Sequence, residues 1–262
     1  MDVEKIIMKK IGIVLSGGGV RGFAHLGLLK FLDELAIPIH AISGVSAGAI
    51  AGCLYAAGHK PDAVFEIMKK SKYFSFTGFS LRREGLFPME PMQKTLGKLI
   101  PDDSFEKLNI KLFVTATDFT NDKAVTFSKG KLIEKVIASA SVPVIFEPVR
   151  IDGSVYFDGG VLNNLPVEPL KKVCDTIIGC HVNRIESGQK ITGMLAKSNI
   201  FEKCFHMAIE ETVYNKGKEC DLFIEPPLSN FSMFDTASAD KIFKIGYDTA
   251  VKFKNELMAV KN

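Results

Sequence analysis

The sequence lacks a strong charge of either sign. Its 33 lysines and arginines and 30 aspartates and glutamates leave a net +3, and the basic residues are spread along the chain. So mild a surplus points to no nucleic-acid partner, while contact with an anionic membrane surface stays open. Cysteine is sparse. The five cysteines, at 53, 174, 180, 204 and 220, are odd in number and form no C-x-x-C pair. That argues against a disulfide framework or zinc site and for reduced thiols in a cytoplasmic protein. No His, Asp and Glu cluster has ligand spacing, so neither metal nor cofactor is expected. The N-terminus, MDVEKIIMKK, lacks the signal-peptide order of charge, apolar run and cleavage site. Repeats, low-complexity blocks and convincing linkers are missing too. What remains is ordinary globular usage, 47% hydrophobic and 24% charged over 262 residues. This excludes a disordered chain, a collagen and a coiled coil. One domain spanning 1–262 is expected, long enough to bury a core without staples.

One stretch lacks charge altogether. From Ile37 to Gly58 there is no Asp, Glu, Lys or Arg, and a bilayer span takes about 20 apolar residues. Pro38, His40, Ser43, Ser46 and glycines 44, 48, 52 and 58 interrupt it. They divide it instead into a short strand, a tight turn and a small-residue helix.

Strand and helix signals alternate through the first half. Ile11–Ser16 is an apolar, β-branched run typical of a buried parallel strand. A helix is expected over Arg21–Leu35, where Phe23, Leu26, Leu29 and Leu32 recur at helical spacing. Ile39–Ile42 reads as a second strand and Ala47–Ala57 as a second helix. This order argues for an α/β fold with a parallel sheet. Later strands are expected at Lys111–Thr117, Ala124–Phe127, Thr176–Val182 and Leu222–Glu225. Helices are expected near Leu132–Ala140, Leu165–Lys172, Ile200–Gly217 and Ala237–Leu257, and Asn183–Lys190 reads as a loop.

Between the first strand and first helix lies Gly17-Gly18-Gly19-Val20-Arg21-Gly22. Glycines let backbone N–H groups approach a ligand, and a helix N-terminus adds partial positive charge. Dinucleotide binding fits the G-x-G-x-x-G spacing but lacks an acidic residue after the second strand. A P-loop needs Lys-Ser/Thr, whereas this chain has Phe23-Ala24. An oxyanion hole for acyl transfer needs only backbone donors beside a nucleophile. A ligand-free tight turn is the plain alternative.

Gly44-Val45-Ser46-Ala47-Gly48 supplies that nucleophile. The G-x-S-x-G pattern falls where a strand ends and a helix begins, as a nucleophile elbow requires. Both loops follow parallel strands, so both lie at the carboxyl end of the sheet. Juxtaposition favours the oxyanion-hole reading. A serine still needs a base. Of the histidines at 25, 40, 59, 181 and 206, only His181 follows a late strand. Asp158, in Tyr156-Phe157-Asp158-Gly159-Gly160, is the alternative base, and burial would raise its pKa toward neutrality.

Together these blocks resemble the patatin-like phospholipase family. The resemblance rests on residues 17–22, 44–48 and 158–160, with weaker support from Thr115–Asp118, Ala138–Pro143 and Phe146–Pro148. It covers about residues 11–180, with a C-terminal part at about 195–257 packed on that core. It implies a three-layer α/β/α fold with a mostly parallel central sheet. It also implies a lipid acyl hydrolase with Ser46 as nucleophile, Asp158 as base and no catalytic histidine. Gly17, Gly18 and Gly19 would form the oxyanion hole. Arg21 would hold that loop, with Gly22, Gly44, Gly48, Gly159 and Gly160 in support. The substrate would be a lipid or other ester. Lys69–Phe87 mixes basic and aromatic residues, and is read either as a lid or peripheral membrane-docking loop or as a core-completing loop. Two other readings remain: a nucleotide-binding module on Gly17–Gly22, and a non-catalytic regulator retaining the fold.

Overall fold

The structure is a computed structural model that describes residues 9–70, 87–184 and 197–261. Most of Lys69–Phe87, and most of the loop expected at 183–190, lies outside these residues. The charge-free stretch divides as its glycines and serines imply, into a strand, a turn and a helix. Among the described residues no helix is long and apolar enough to cross a membrane.

Eight strands form one mixed sheet: β1 (Ile11–Leu15), β2 (Ile39–Val45), β3 (Lys111–Asp118), β4 (Lys123–Phe127), β5 (Val149–Ile151), β6 (Ser154–Asp158), β7 (Thr176–Cys180) and β8 (Leu222–Ile224). The order β5-β6-β3-β2-β1-β7-β8 runs parallel from β3 to β8, while β4, β5 and β6 are antiparallel additions. The helices are α1 (Phe23–Glu34), α2 (Ala47–Ala56), α3 (Pro61–Lys70), α4 (Glu90–Leu99), α5 (Ile133–Ser139), α6 (Lys197–Gly217), α7 (Ala239–Lys252) and α8 (Lys254–Lys261).

Alternation along β1 explains the layers. Ile11, Ile13 and Leu15 point into a large core shared with α1, α2 and α5. Val14 points the other way, into a smaller core with Leu165, Leu170, Ile177 and Val213 of α6. Both faces of β1 are buried, so its sequence is continuously apolar. The helix expected over Leu165–Lys172 is absent, and only a 3-10 turn at Leu170–Lys172 forms. Pro166 and Pro169 are the reason, since each lacks an N–H and biases its predecessor away from helix. The helix expected over Ala237–Leu257 is two helices, α7 and α8, with a break at Phe253. The first helix begins at Phe23 rather than Arg21, after a 3-10 turn at Gly19–Gly22.

Sheet register brings the site together. A strand has two edges, and β4 occupies one edge of β3 over Val114–Asp118. Strands β2 and β6 therefore share the other edge, end to end. Strand β2 runs along it until Val45 pairs with Thr115. Strand β6 comes from the opposite direction and ends where Asp158 pairs with Ala116. Ser46 and Asp158 thus leave the same edge at neighbouring positions, although 112 residues separate them in sequence.

Candidate active site

Ser46 stands on a sharp turn between β2 and α2 with φ 52° and ψ −123°. This is backbone that only glycine adopts freely, and a non-glycine residue held there carries about 1–3 kcal/mol of strain. The surroundings hold it. The Ser46 N–H donates to Ser139 Oγ at 2.9 Å, and Ser139 Oγ in turn donates to the Thr115 carbonyl at 2.6 Å. The turn also demands close backbone approach. A Cβ on Gly48 would strike the Leu15 carbonyl, and one on Gly44 would stand 2.6 Å from the Gly48 carbonyl.

Asp158 is buried at the end of β6. Burial pushes its carboxyl up to about 6, and hydrogen bonds from the Ser46 side chain and the Gly160 N–H oppose that rise. The Gly160 N–H lies 2.7 Å from Asp158 Oδ1. Gly159 lets this turn press on β3, because a Cβ there would meet the Thr115 carbonyl. A carboxyl near 6 that touches the serine is poised to accept its proton near neutral pH.

The glycine loop borders the serine from the β1 side. A Cβ on Gly17 would lie 3.1 Å from Ser46 Cβ, and one on Gly22 would meet Ala47. Its donors are not equivalent. The Gly17 N–H donates to Asn164 Oδ1 at 3.1 Å. Val20 N–H donates to the Met233 carbonyl at 2.9 Å. Among the described residues, no acceptor takes the N–H of Gly18 or Gly19.

Arg21 turns away from the pocket. Its guanidinium meets Glu202 Oε1 at 2.6 Å, the Phe231 carbonyl at 2.7 Å and Asn183 Oδ1 at 3.2 Å. Burial lowers its pKa and the Glu202 charge counters this. Asn183 Nδ2 donates to the Gly17 carbonyl at 2.6 Å, and His25 Nε2 to the Ser16 carbonyl at 2.8 Å. The loop is therefore tied down from behind, by partners on α6 and after β7. Burial drives His25 to about 4 and His206 to about 3, so both are neutral at physiological pH.

His181 does not join the serine. Its Nδ1 pairs with Glu225 Oε1 at 3.0 Å. It follows β7, with β1 between β7 and β2, a lateral offset of about 10 Å at the usual strand spacing. The histidine triad weighed from sequence is not assembled.

A pocket opens beside Ser46 between α1, α2 and α3. Phe23, Leu26, Ile50, Ala51, Val64 and Met68 of these helices line it, together with Val142, Phe146, Met233 and Phe234. Among the described residues, Ser46 carries the only polar side chain lining it. Among the described residues, no three His, Cys, Asp or Glu side chains could hold a metal ion. Sequence reasoning missed Asn164, Asn183, Glu202 and Ser139. Ser139 and Asn164 lie in or beside recognised blocks, but nothing in the sequence pairs Glu202 with Arg21 across more than 180 residues.

Comparison with known proteins speaks to the family and the fold. The patatin-like phospholipase profile matches residues 13–171. Lysophospholipase NTE1 of Candida glabrata is 28% identical over 280 aligned positions, covering 94% of this chain and 16% of its own. The Aspergillus niger lysophospholipase nte1 is 27% identical, covering 93% and 18%. The chain spans less than a fifth of these curated relatives. Among solved structures, VipD from Legionella pneumophila superposes with a TM-score of 0.62 at 14% identity, covering 95% of this chain and 67% of that one. Human GIVD cytosolic phospholipase A2 superposes at 0.54 and 9% identity, covering 99% and 59%. These two share the fold. With the family match spanning more than half of its length, the chain belongs to the patatin-like phospholipase family, a family of lipid acyl hydrolases.

Proposed function

We propose that the protein hydrolyses lipid acyl esters through a Ser46–Asp158 dyad. The observation that carries this reading is the shared edge of β3, which brings the elbow serine against a buried carboxyl with a pKa near 6. Asp158 accepts the Ser46 proton as Oγ attacks the ester carbonyl. The oxyanion is held by the N–H groups of Gly18 and Gly19, each such donor being worth about 2.7–4 kcal/mol of transition-state stabilisation. Protonated Asp158 returns the proton to the leaving alkoxide, and the acyl group stays on Ser46. Water, deprotonated by Asp158, then attacks the acyl ester. The fatty acid leaves and Ser46 regains its proton.

The substrate is a lipid with a long acyl chain. The apolar side chains that line the pocket among the described residues support a long hydrocarbon, since each buried CH₂ is worth about 0.8 kcal/mol. The curated relatives are lysophospholipases, and a monoacyl phospholipid is the class to test first. Lys69–Phe87, rich in basic and aromatic residues, is the segment proposed from sequence to meet the lipid surface. Incubation with a lysophospholipid, followed by mass spectrometry of acid-quenched protein, tests the reading. An acyl adduct on the Ser46 peptide is expected. Fatty-acid release without any adduct on Ser46, persisting in Ser46→Ala, would contradict it.

A further inference from the structure

Asn164 lies where the Asp158 turn meets the glycine loop, and it is only 3% exposed. Its Oδ1 accepts the Gly17 N–H at 3.1 Å. That bond fixes which end of the amide faces the loop, because two N–H groups cannot face each other. Nδ2 is then left buried with no acceptor among the described residues. A buried donor without a partner is rare.

The surroundings explain its retention. The position a Cβ would take on Gly160 is 2.8 Å from Asn164 Oδ1 and 3.0 Å from Asp158 Oδ1, so the two side chains converge over one glycine. The corresponding position on Gly17 lies 2.5 Å from Asn164 Oδ1 and 3.1 Å from Ser46 Cβ. Asn164 therefore stands among nucleophile, base and oxyanion loop. An apolar residue there would leave the Gly17 N–H unpaired. An aspartate would accept that N–H but place a second carboxylate beside the first, and two neighbouring carboxylates do not ionise together readily. Among the described residues no charged side chain contributes to the Asp158 shift, which is set by burial, Ser46 and Gly160. Asparagine meets both needs. It supplies the acceptor and adds no charge.

We propose that Asn164 is a positioning residue for ester hydrolysis. Its carbonyl end engages Gly17 so that Gly18 and Gly19 present their N–H groups, and its neutral amide keeps Asp158 free to ionise. The inference rests on the hydrolase reading above.

The test compares pH–rate profiles of wild type, Asn164→Ala and Asn164→Asp on one soluble ester. Asn164→Ala is expected to lose about 10–100-fold in kcat, with KM changed by less than about threefold and the acidic limb unmoved. Asn164→Asp keeps the Gly17 acceptor, and its acidic limb is expected to move up by about one pH unit or more. Wild-type kcat in the alanine variant, or an unmoved limb in the aspartate variant, would overturn the proposal. The Asp158 carboxyl is also followed by ¹³C NMR in wild type and Asn164→Asp, a readout that needs no turnover and that a mere folding defect does not mimic. An unchanged titration there overturns the proposal even if the alanine variant is slow. Wild type assayed beside Ser46→Ala reads the hydrolase reading separately.

Discussion

On its pocket side the glycine loop faces walls that, among the described residues, offer no polar side chain except Ser46. On its other side it is fastened by Arg21, Glu202, Asn183, Asn164 and His25. In the proposed mechanism, the difference would let a flexible peptide serve as the oxyanion hole. Preorganised donors are effective because they need not reorganise as charge develops. Glycine gives the loop its close approach but no rigidity of its own. The polar contacts behind supply the rigidity, and the apolar lining in front would strengthen the proposed donors by lowering the local dielectric. One side sets where the N–H groups point, and the other sets what they meet.

The comparison breaks first at the back. Glu202→Gln removes the charge partner of a buried guanidinium, and losing one member of a buried pair costs about 3–5 kcal/mol. A denaturant midpoint measures this. The loss of kcat is expected to exceed any change in KM, because the loop loosens while the pocket walls stay. Equal stability and kcat would mean that the loop is rigid without its clamp.

Between the two sides stands Asp158, the proposed base, whose burial costs stability. Its folded pKa, about 6, exceeds the ordinary 3.8. The folded state then binds more protons than the unfolded state between these values, so stability falls as pH rises through this window and stays low above it. Asp158→Asn is expected to be inactive yet more stable by about 2–3 kcal/mol at neutral pH, with the gain vanishing toward pH 4. Thermal unfolding at pH 4 and pH 7 reads the sign. A gain that grows on acidification would refute the burial argument. Ser46→Gly is the smaller parallel. It relieves the positive φ and is expected to add about 1 kcal/mol of stability while abolishing acyl transfer.

The smallest effect is expected in front. Ala51→Leu narrows the pocket along α2 without touching a polar group. The ratio of long-chain to short-chain kcat/KM is expected to fall about tenfold, roughly the worth of two buried methylenes. An unchanged ratio would place the acyl chain elsewhere.

Sequence and structure agree best where chemistry is local. The elbow at Ser46 and the G-G-G loop are legible because a strand must end, a turn must tighten and small residues must fill it. The carboxyl-end rule also makes their side-by-side placement readable in advance. Asp158 is legible as a motif, but its meeting with Ser46 depends on β6 sharing the β3 edge, a long-range register that no short window contains. The same limit hides Glu202 behind Arg21. Local signals also misled where prolines stood. Leu165–Lys172 has apolar content suited to a helix, and Pro166 and Pro169 prevent one. The commitment of Gly17 to Asn164 was not readable either, since both glycine and asparagine there look like ordinary turn residues.

The most direct test is the pH dependence of hydrolysis of a short p-nitrophenyl ester by wild type, Ser46→Ala, Asp158→Asn and His181→Ala. The dyad predicts that wild-type kcat/KM rises through an apparent pKa near 6 and then stays level. It predicts that Ser46→Ala and Asp158→Asn lose about 10⁴-fold or more, and that His181→Ala keeps both the rate and the profile. A dead His181→Ala beside an active Asp158→Asn would contradict the account and move the base to the other side of β1.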